Sequence, residues 1–131
     1  MSRAEQIKAV NDEDMALMGT LAQDVQDKMN KEYEKMFAGD ADLVKRAADD
    51  QKMCFDKADA NKDGKLDWAE WIEFTAVYTE LAKSQYGDSP MLNEAQMKAR
   101  FDLTKKAGTD FVTLQDLNDI MAEAMAIMTA Q

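Results

Sequence analysis

The chain has 131 residues, in which 16 Lys and Arg stand against 26 Asp and Glu for a net charge of −10. That length suits one domain, able to bury roughly two thirds of its unfolded surface without staples, and the single Cys (Cys54) excludes an intramolecular disulfide and points to a reducing compartment. The absence of His removes the commonest general base and transition-metal ligand, while the acidic balance argues against nucleic acid or anionic lipid and favours cations or basic peptides as partners.

In chain order, the opening MSRAEQIKAV lacks the apolar run of a secretory signal, and Ser2 stands where N-myristoylation needs Gly. Asn11-Asp12-Glu13-Asp14 reads as a helix start, with Asn11 as cap and an acidic first turn. Met18, Leu21, Ala22, Val25, Met29, Tyr33 and Met36 then recur at spacings of three and four. They predict one amphipathic helix of about 25 residues ended by Gly39. Gly19 falls inside it, at a cost of about 1 kcal/mol relative to Ala. Asp40 caps a second helix running towards Phe55, and Trp71, Phe74, Tyr78 and Leu81 mark a third that ends near Gly87. Ser89-Pro90 reads as the opening of a fourth, and Thr113 with Asp116 as the opening of the last. The pattern is all-α. No segment approaches the roughly 20 apolar residues of a membrane span, and the C-terminal MTAQ lacks the Cys of a prenylation box, so the expected address is cytoplasmic.

Residues 59–70 read Asp59-Ala60-Asn61-Lys62-Asp63-Gly64-Lys65-Leu66-Asp67-Trp68-Ala69-Glu70 and fit D-x-[DN]-x-[DN]-G-x5-E at every specified place. The spacing suits Ca²⁺, a hard cation that takes six to eight oxygens at about 2.3–2.6 Å. Asp59, Asn61 and Asp63 supply side-chain oxygens, and Lys65 a main-chain carbonyl with its ammonium in solvent. Asp67 acts through a water, and Glu70 closes the sphere with both carboxylate oxygens. Gly64 allows the left-handed turn, and Asp67 with Glu70 forms a capping pair for the helix that follows. An acidic turn without a ligand would have to match all these positions and both flanking helices by accident.

In these residues the chain resembles the EF-hand superfamily, calmodulin-like in character. Shifting the pattern by 46 positions aligns Phe55 with Phe101, Leu66 with Val112, Trp71 with Leu117 and Phe74 with Ile120. The apolar frame is kept while the ligands are lost: the second loop has Lys105 at position 1, Ala107 at position 3, Asp110 where Gly belongs and the shorter Asp116 at position 12. It is expected to hold no ion and to brace the first loop through a short antiparallel bridge of Leu66 against Val112, with the Lys105 ammonium either standing in for the ion or pointing into water. The resemblance thus implies paired EF-hands over 41–131, intact in 41–87 and degenerate in 89–131, with an additional long N-terminal helix in 1–40.

On that footing the expected function is a Ca²⁺-binding regulator, not an enzyme, holding one ion with Asp59, Asn61, Asp63, Lys65, Asp67 and Glu70 and changing its apolar surface for a helical segment of another protein. The oligomeric state is not fixed by the sequence. Met121, Met125 and Met128 add a second apolar line to the last helix that something must cover. Residues 1–40 could be a lid, a segment released by Ca²⁺, or a helix recruited by a partner. The alternatives are a parvalbumin-like buffer sealed by that lid, or a light-chain-like subunit held on its target at any Ca²⁺ level. Trp68 is expected to be exposed, Trp71 to lie in the core, and Cys54 to be a buried, unreactive hydrophobe.

Overall fold

Six helices make up the regular structure of residues 2–129, which the computed structural model describes: α1 (Arg3–Met18), α2 (Gln23–Phe37), α3 (Ala41–Ala58), α4 (Trp68–Tyr86), α5 (Glu94–Thr104) and α6 (Leu114–Thr129). Met1, Ala130 and Gln131, which belong to the chain ends read for a signal sequence and a prenylation box, lie outside the described residues. The all-α fold expected from the sequence is the one observed. No helix among the described residues is long and apolar enough to cross a membrane.

The single helix expected from Asn11 to Gly39 is two. Helix α1 starts eight residues earlier than Asn11, because Ser2 and Glu5 cap it reciprocally: the Glu5 N–H donates to Ser2 Oγ at 3.2 Å and the Ser2 N–H to Glu5 Oε1 at 3.4 Å. Asn11 therefore lies mid-helix. The break comes at Gly19, where the Thr20 hydroxyl takes the Leu17 carbonyl at 2.7 Å and the Gln26 side-chain amide takes the Leu21 carbonyl at 2.7 Å. Side chains satisfy the carbonyls that a continuous helix would have used. Met18, Val25 and Met29 still bury together, with Leu21 and Tyr86 against them. The apolar spacing therefore persists across a break that the periodicity does not reveal.

Helices α3 and α4 form one helix–loop–helix, and α5 and α6 another. Asp40 caps α3 as expected, accepting the Asp42 and Leu43 amides at 3.1 and 3.2 Å. Helix α4 ends at Gly87, whose φ of 94° is the left-handed C-cap that glycine favours. Helix α5 is opened not by Ser89-Pro90 but by Asn93 and Gln96, whose side chains each accept the other's backbone N–H at 2.8–2.9 Å. That box satisfies two orphan donors at once, whereas the Ser89 N–H is already taken by Asp88.

The core lies between the two units. Cys54, Phe55, Ala58, Leu66, Trp71, Phe74, Phe101, Val112 and Leu117 are all buried in it. Trp71 stacks on Phe101 with ring centroids 5.6 Å apart, and its indole N–H donates to the Met97 carbonyl at 3.1 Å. Trp68, expected to be exposed, is half-buried: it stacks flat on Phe101 at 5.5 Å, with the Lys98 ammonium 5.3 Å from its ring. Burial and the nearby Asp50 push the Cys54 thiol upward, which keeps it protonated.

Helix α2 packs on α3 and α4, and α1 packs on α5 and α6. Arg3 grips Glu123 of α6 with two nitrogens, at 2.6 and 3.1 Å, and donates a third bond to the Leu103 carbonyl at 3.1 Å. Arg100 of α5, nearly buried, pairs with Glu13 at 2.9 Å and Asp14 at 2.6 Å. Burial raises the Asp14 carboxyl despite this pairing. On the other side, Glu32 of α2 bonds Arg46 at 2.7 Å and also accepts the Tyr86 hydroxyl. Glu13 and Asp14, from the acidic run expected to open a helix, are therefore the strip by which α1 holds α5.

Candidate metal centre

The loop between α3 and α4 begins with Asp59, the residue at the end of α3, and closes with Glu70 in the first turn of α4. The backbone folds its carboxylates inward. Asp59 is buried and accepts the Gly64 N–H at 2.9 Å and the Asp63 N–H at 3.3 Å. Asp63 accepts the Lys65 N–H at 3.0 Å. Glu70 accepts the Ala60 N–H at 3.1 Å through one oxygen and the Asp67 N–H at 3.2 Å through the other. Gly64, with φ 79°, supplies the turn that lets its own amide reach Asp59.

One oxygen from each of Asp59, Asp63 and Glu70 lies within 4.8 Å of the others. Two ligands on opposite sides of a Ca²⁺ ion stand at most about twice 2.3–2.6 Å apart, so the three oxygens fit one coordination sphere. Three carboxylates at such distances repel one another, and the amide donors work against that repulsion. The donor set is all oxygen, which suits a hard cation and not a thiophilic metal.

The other sequence-predicted ligands stand around this cluster. Asn61 is exposed at the loop tip. Asp67 is also exposed and outside the cluster; its carboxylate accepts the Glu70 N–H at 2.9 Å and so caps α4, as expected. Lys65 is exposed, as expected, and its ammonium lies 4.6 Å from the centre of the Phe111 ring in the other loop.

The second loop is joined to the first by a bridge in which Leu66 and Val112 exchange N–H···O bonds of 2.8 and 2.9 Å, both residues fully buried. This is the pairing that the resemblance implies for the two aligned residues. Of the two outcomes open for Lys105, standing in for the ion or pointing into water, the first falls instead to its neighbour. Lys106, not Lys105, pairs with Asp116, its ammonium 2.8 Å from a carboxylate that is only 3% exposed. Burial alone would raise the Asp116 carboxyl, but the bonds from Lys106 and Thr113 outweigh it and hold the group below its ordinary range. The sequence carries this pair as a basic residue at position 2 of the loop and an acid at position 12.

The two loops also differ in where strain sits. Position 4 has positive φ in both, 81° at Gly108 and 54° at Lys62. A side chain in that region costs about 1–2 kcal/mol, against a smaller penalty for the freer unfolded chain that Gly brings. Lys62→Gly is expected to raise stability in chelator by about 0.5–1 kcal/mol, read from thermal melts. An unchanged or lower midpoint would show that Lys62 is unstrained.

Residues 51–75, which run from α3 through the whole 59–70 loop into α4, match the protein-family model of the EF hand. No curated protein and no solved structure matches the chain. The match supports the EF-hand superfamily and implies calcium binding by the loop in which Asp59, Asp63 and Glu70 converge.

Proposed function

We propose that this protein is a calcium-binding regulator that takes one ion in loop 59–70. Asp59, Asn61 and Asp63 would bind through side-chain oxygens, Lys65 through its main-chain carbonyl, Asp67 through a water and Glu70 through its carboxylate. The observation that carries this reading is the convergence of the Asp59, Asp63 and Glu70 oxygens inside an EF-hand segment. The ion would strengthen the hold of Glu70 on the loop, and a shift of α4 would alter the apolar surface available to a partner helix. Because loop 2 has a lysine ammonium on its position-12 carboxylate, a single ion and a Hill coefficient near one are expected.

Calorimetric titration with Ca²⁺ and Mg²⁺ tests this. The wild type should bind one Ca²⁺ with a dissociation constant of about 10⁻⁷ to 10⁻⁵ M, and Mg²⁺ much more weakly. Glu70→Gln should weaken Ca²⁺ about 100-fold or more, since it removes a charge and half of a bidentate ligand. Two bound ions, or none, would overturn the proposal.

A second reading, a buffer sealed by its own N-terminal helix, is favoured by the way Arg3 and Arg100 fasten α1 across α5 and α6. Hydrogen exchange of residues 3–18 separates the two: deprotection on adding Ca²⁺ supports the regulator, and unchanged protection supports the buffer.

A further inference from the structure

The two loops solve the same closing problem with different groups. In loop 1 the position-12 carboxylate of Glu70 is drawn inward by two donors, the Asp67 N–H and the position-2 N–H of Ala60. In loop 2 the position-12 carboxylate of Asp116 is drawn by the Thr113 N–H at 3.0 Å and by the position-2 side chain, Lys106, at 2.8 Å. Asp116 is one methylene shorter than Glu70, and the long lysine stem spans the gap that a backbone amide would leave. The carboxylate is thus almost fully buried, while its ammonium partner keeps a wet outer face.

This closure lies directly behind the bridge. Thr113, which exchanges bonds with Asp116, follows Val112 in the chain, and Val112 is hydrogen-bonded to Leu66. Leu66 in turn stands between Lys65, seated on Phe111, and Asp67, bonded to Glu70. From the Lys106–Asp116 pair to the carboxylates of loop 1, the connection is short: hydrogen bonds alternate with direct chain neighbours, and Asp116, Val112 and Leu66 along it are buried while Lys106 and Asp67 at its ends are exposed.

We infer that Lys106 is a positioning residue for the metal site: its tethered ammonium serves as a resident cation that keeps loop 2 closed and, through the Leu66–Val112 bridge, holds loop 1 ready for its ion. The inference rests on the calcium reading of loop 1. Its physical content is that a site whose competent form is already populated loses less affinity to rearrangement. A simple field effect predicts the opposite sign, because removing a positive charge near a cation site should tighten binding.

The test compares Lys106→Met with Lys105→Met, which remove the same charge one residue apart, and with Lys106→Arg, which keeps the pair. In chelator, Lys106→Met should speed exchange of the Leu66 and Val112 amides about tenfold and lower the melting midpoint, while the other two variants stay near wild type. In calcium titrations, Lys106→Met should bind about five- to tenfold more weakly, Lys105→Met as well or better, and Lys106→Arg within about twofold of wild type. Wild-type exchange rates in Lys106→Met, or tighter calcium binding by it, overturn the inference. A wild-type chain that takes no calcium overturns the calcium reading and with it any effect on affinity, while the chelator arm still judges the closure of loop 2.

Discussion

Phe101→Ala is expected to lower the unfolding free energy by about 3–5 kcal/mol. The Phe101 ring is 2% exposed and touches both tryptophans of α4, with centroids 5.5 Å from Trp68 and 5.6 Å from Trp71. Its loss removes more than buried area, because it leaves a cavity between the two helix–loop–helix units and ends two aromatic stacks at once. Against a total stability of about 5–15 kcal/mol for a typical domain, that is enough to make folding marginal. Denaturant unfolding followed by tryptophan fluorescence would measure it, with Phe101→Leu as a milder control expected to lose about 1–2 kcal/mol. A loss below about 1.5 kcal/mol for the alanine variant would mean that the two units are not held together at this ring.

The parts of this fold and site that were legible in the sequence are those where spacing is dictated by a rigid requirement. A calcium loop needs oxygens at fixed positions and a glycine at the turn, so Asp59, Asp63, Gly64 and Glu70 could be placed by reading alone, and the structure brings the three carboxylates together. The repeat aligns Leu66 with Val112, and the bridge that the EF-hand resemblance implies between them is present as two short hydrogen bonds. What stayed hidden was decided by local competition between similar groups. Asn11 and Ser2 are both good caps, and Ser2 won because Glu5 answers it three residues on. Asn93 displaced Ser89 for the same reason, with Gln96 as its reciprocal partner. The break at Gly19 was masked because Met18, Val25 and Met29 serve one apolar cluster on both sides of it. Lys105 and Lys106 are adjacent and identical in chemistry, and only the fold shows which of them reaches Asp116. The role of Arg100 likewise depends on a contact between α5 and α1 that no local pattern encodes.

Adding about 1 mM free Ca²⁺ is expected to stabilise the protein by roughly 3–5.5 kcal/mol, since that concentration exceeds a dissociation constant of about 10⁻⁷ to 10⁻⁵ M by two to four orders of magnitude. For a chain of 131 residues this is a rise of about 10–20 °C in melting temperature. The size of the effect follows from what the loop does without an ion. Asp59, Asp63 and Glu70 hold mutually repelling oxygens within 4.8 Å of one another, restrained by backbone amides, and a divalent cation converts that repulsion into attraction. Because those amides, the bridge and the Lys106–Asp116 pair already close both loops, chelator should lower the melting temperature without unfolding the chain at room temperature. Mg²⁺ at the same concentration should give a much smaller shift, since a small octahedral ion accommodates a bidentate Glu70 poorly. Glu70→Gln should abolish most of the calcium shift while leaving the chelator baseline within about 1 kcal/mol, because its amide oxygen can still accept one of the two N–H bonds. Calorimetric scans of both proteins with and without Ca²⁺ decide the matter: equal shifts in the wild type and Glu70→Gln would place the ion somewhere other than loop 59–70.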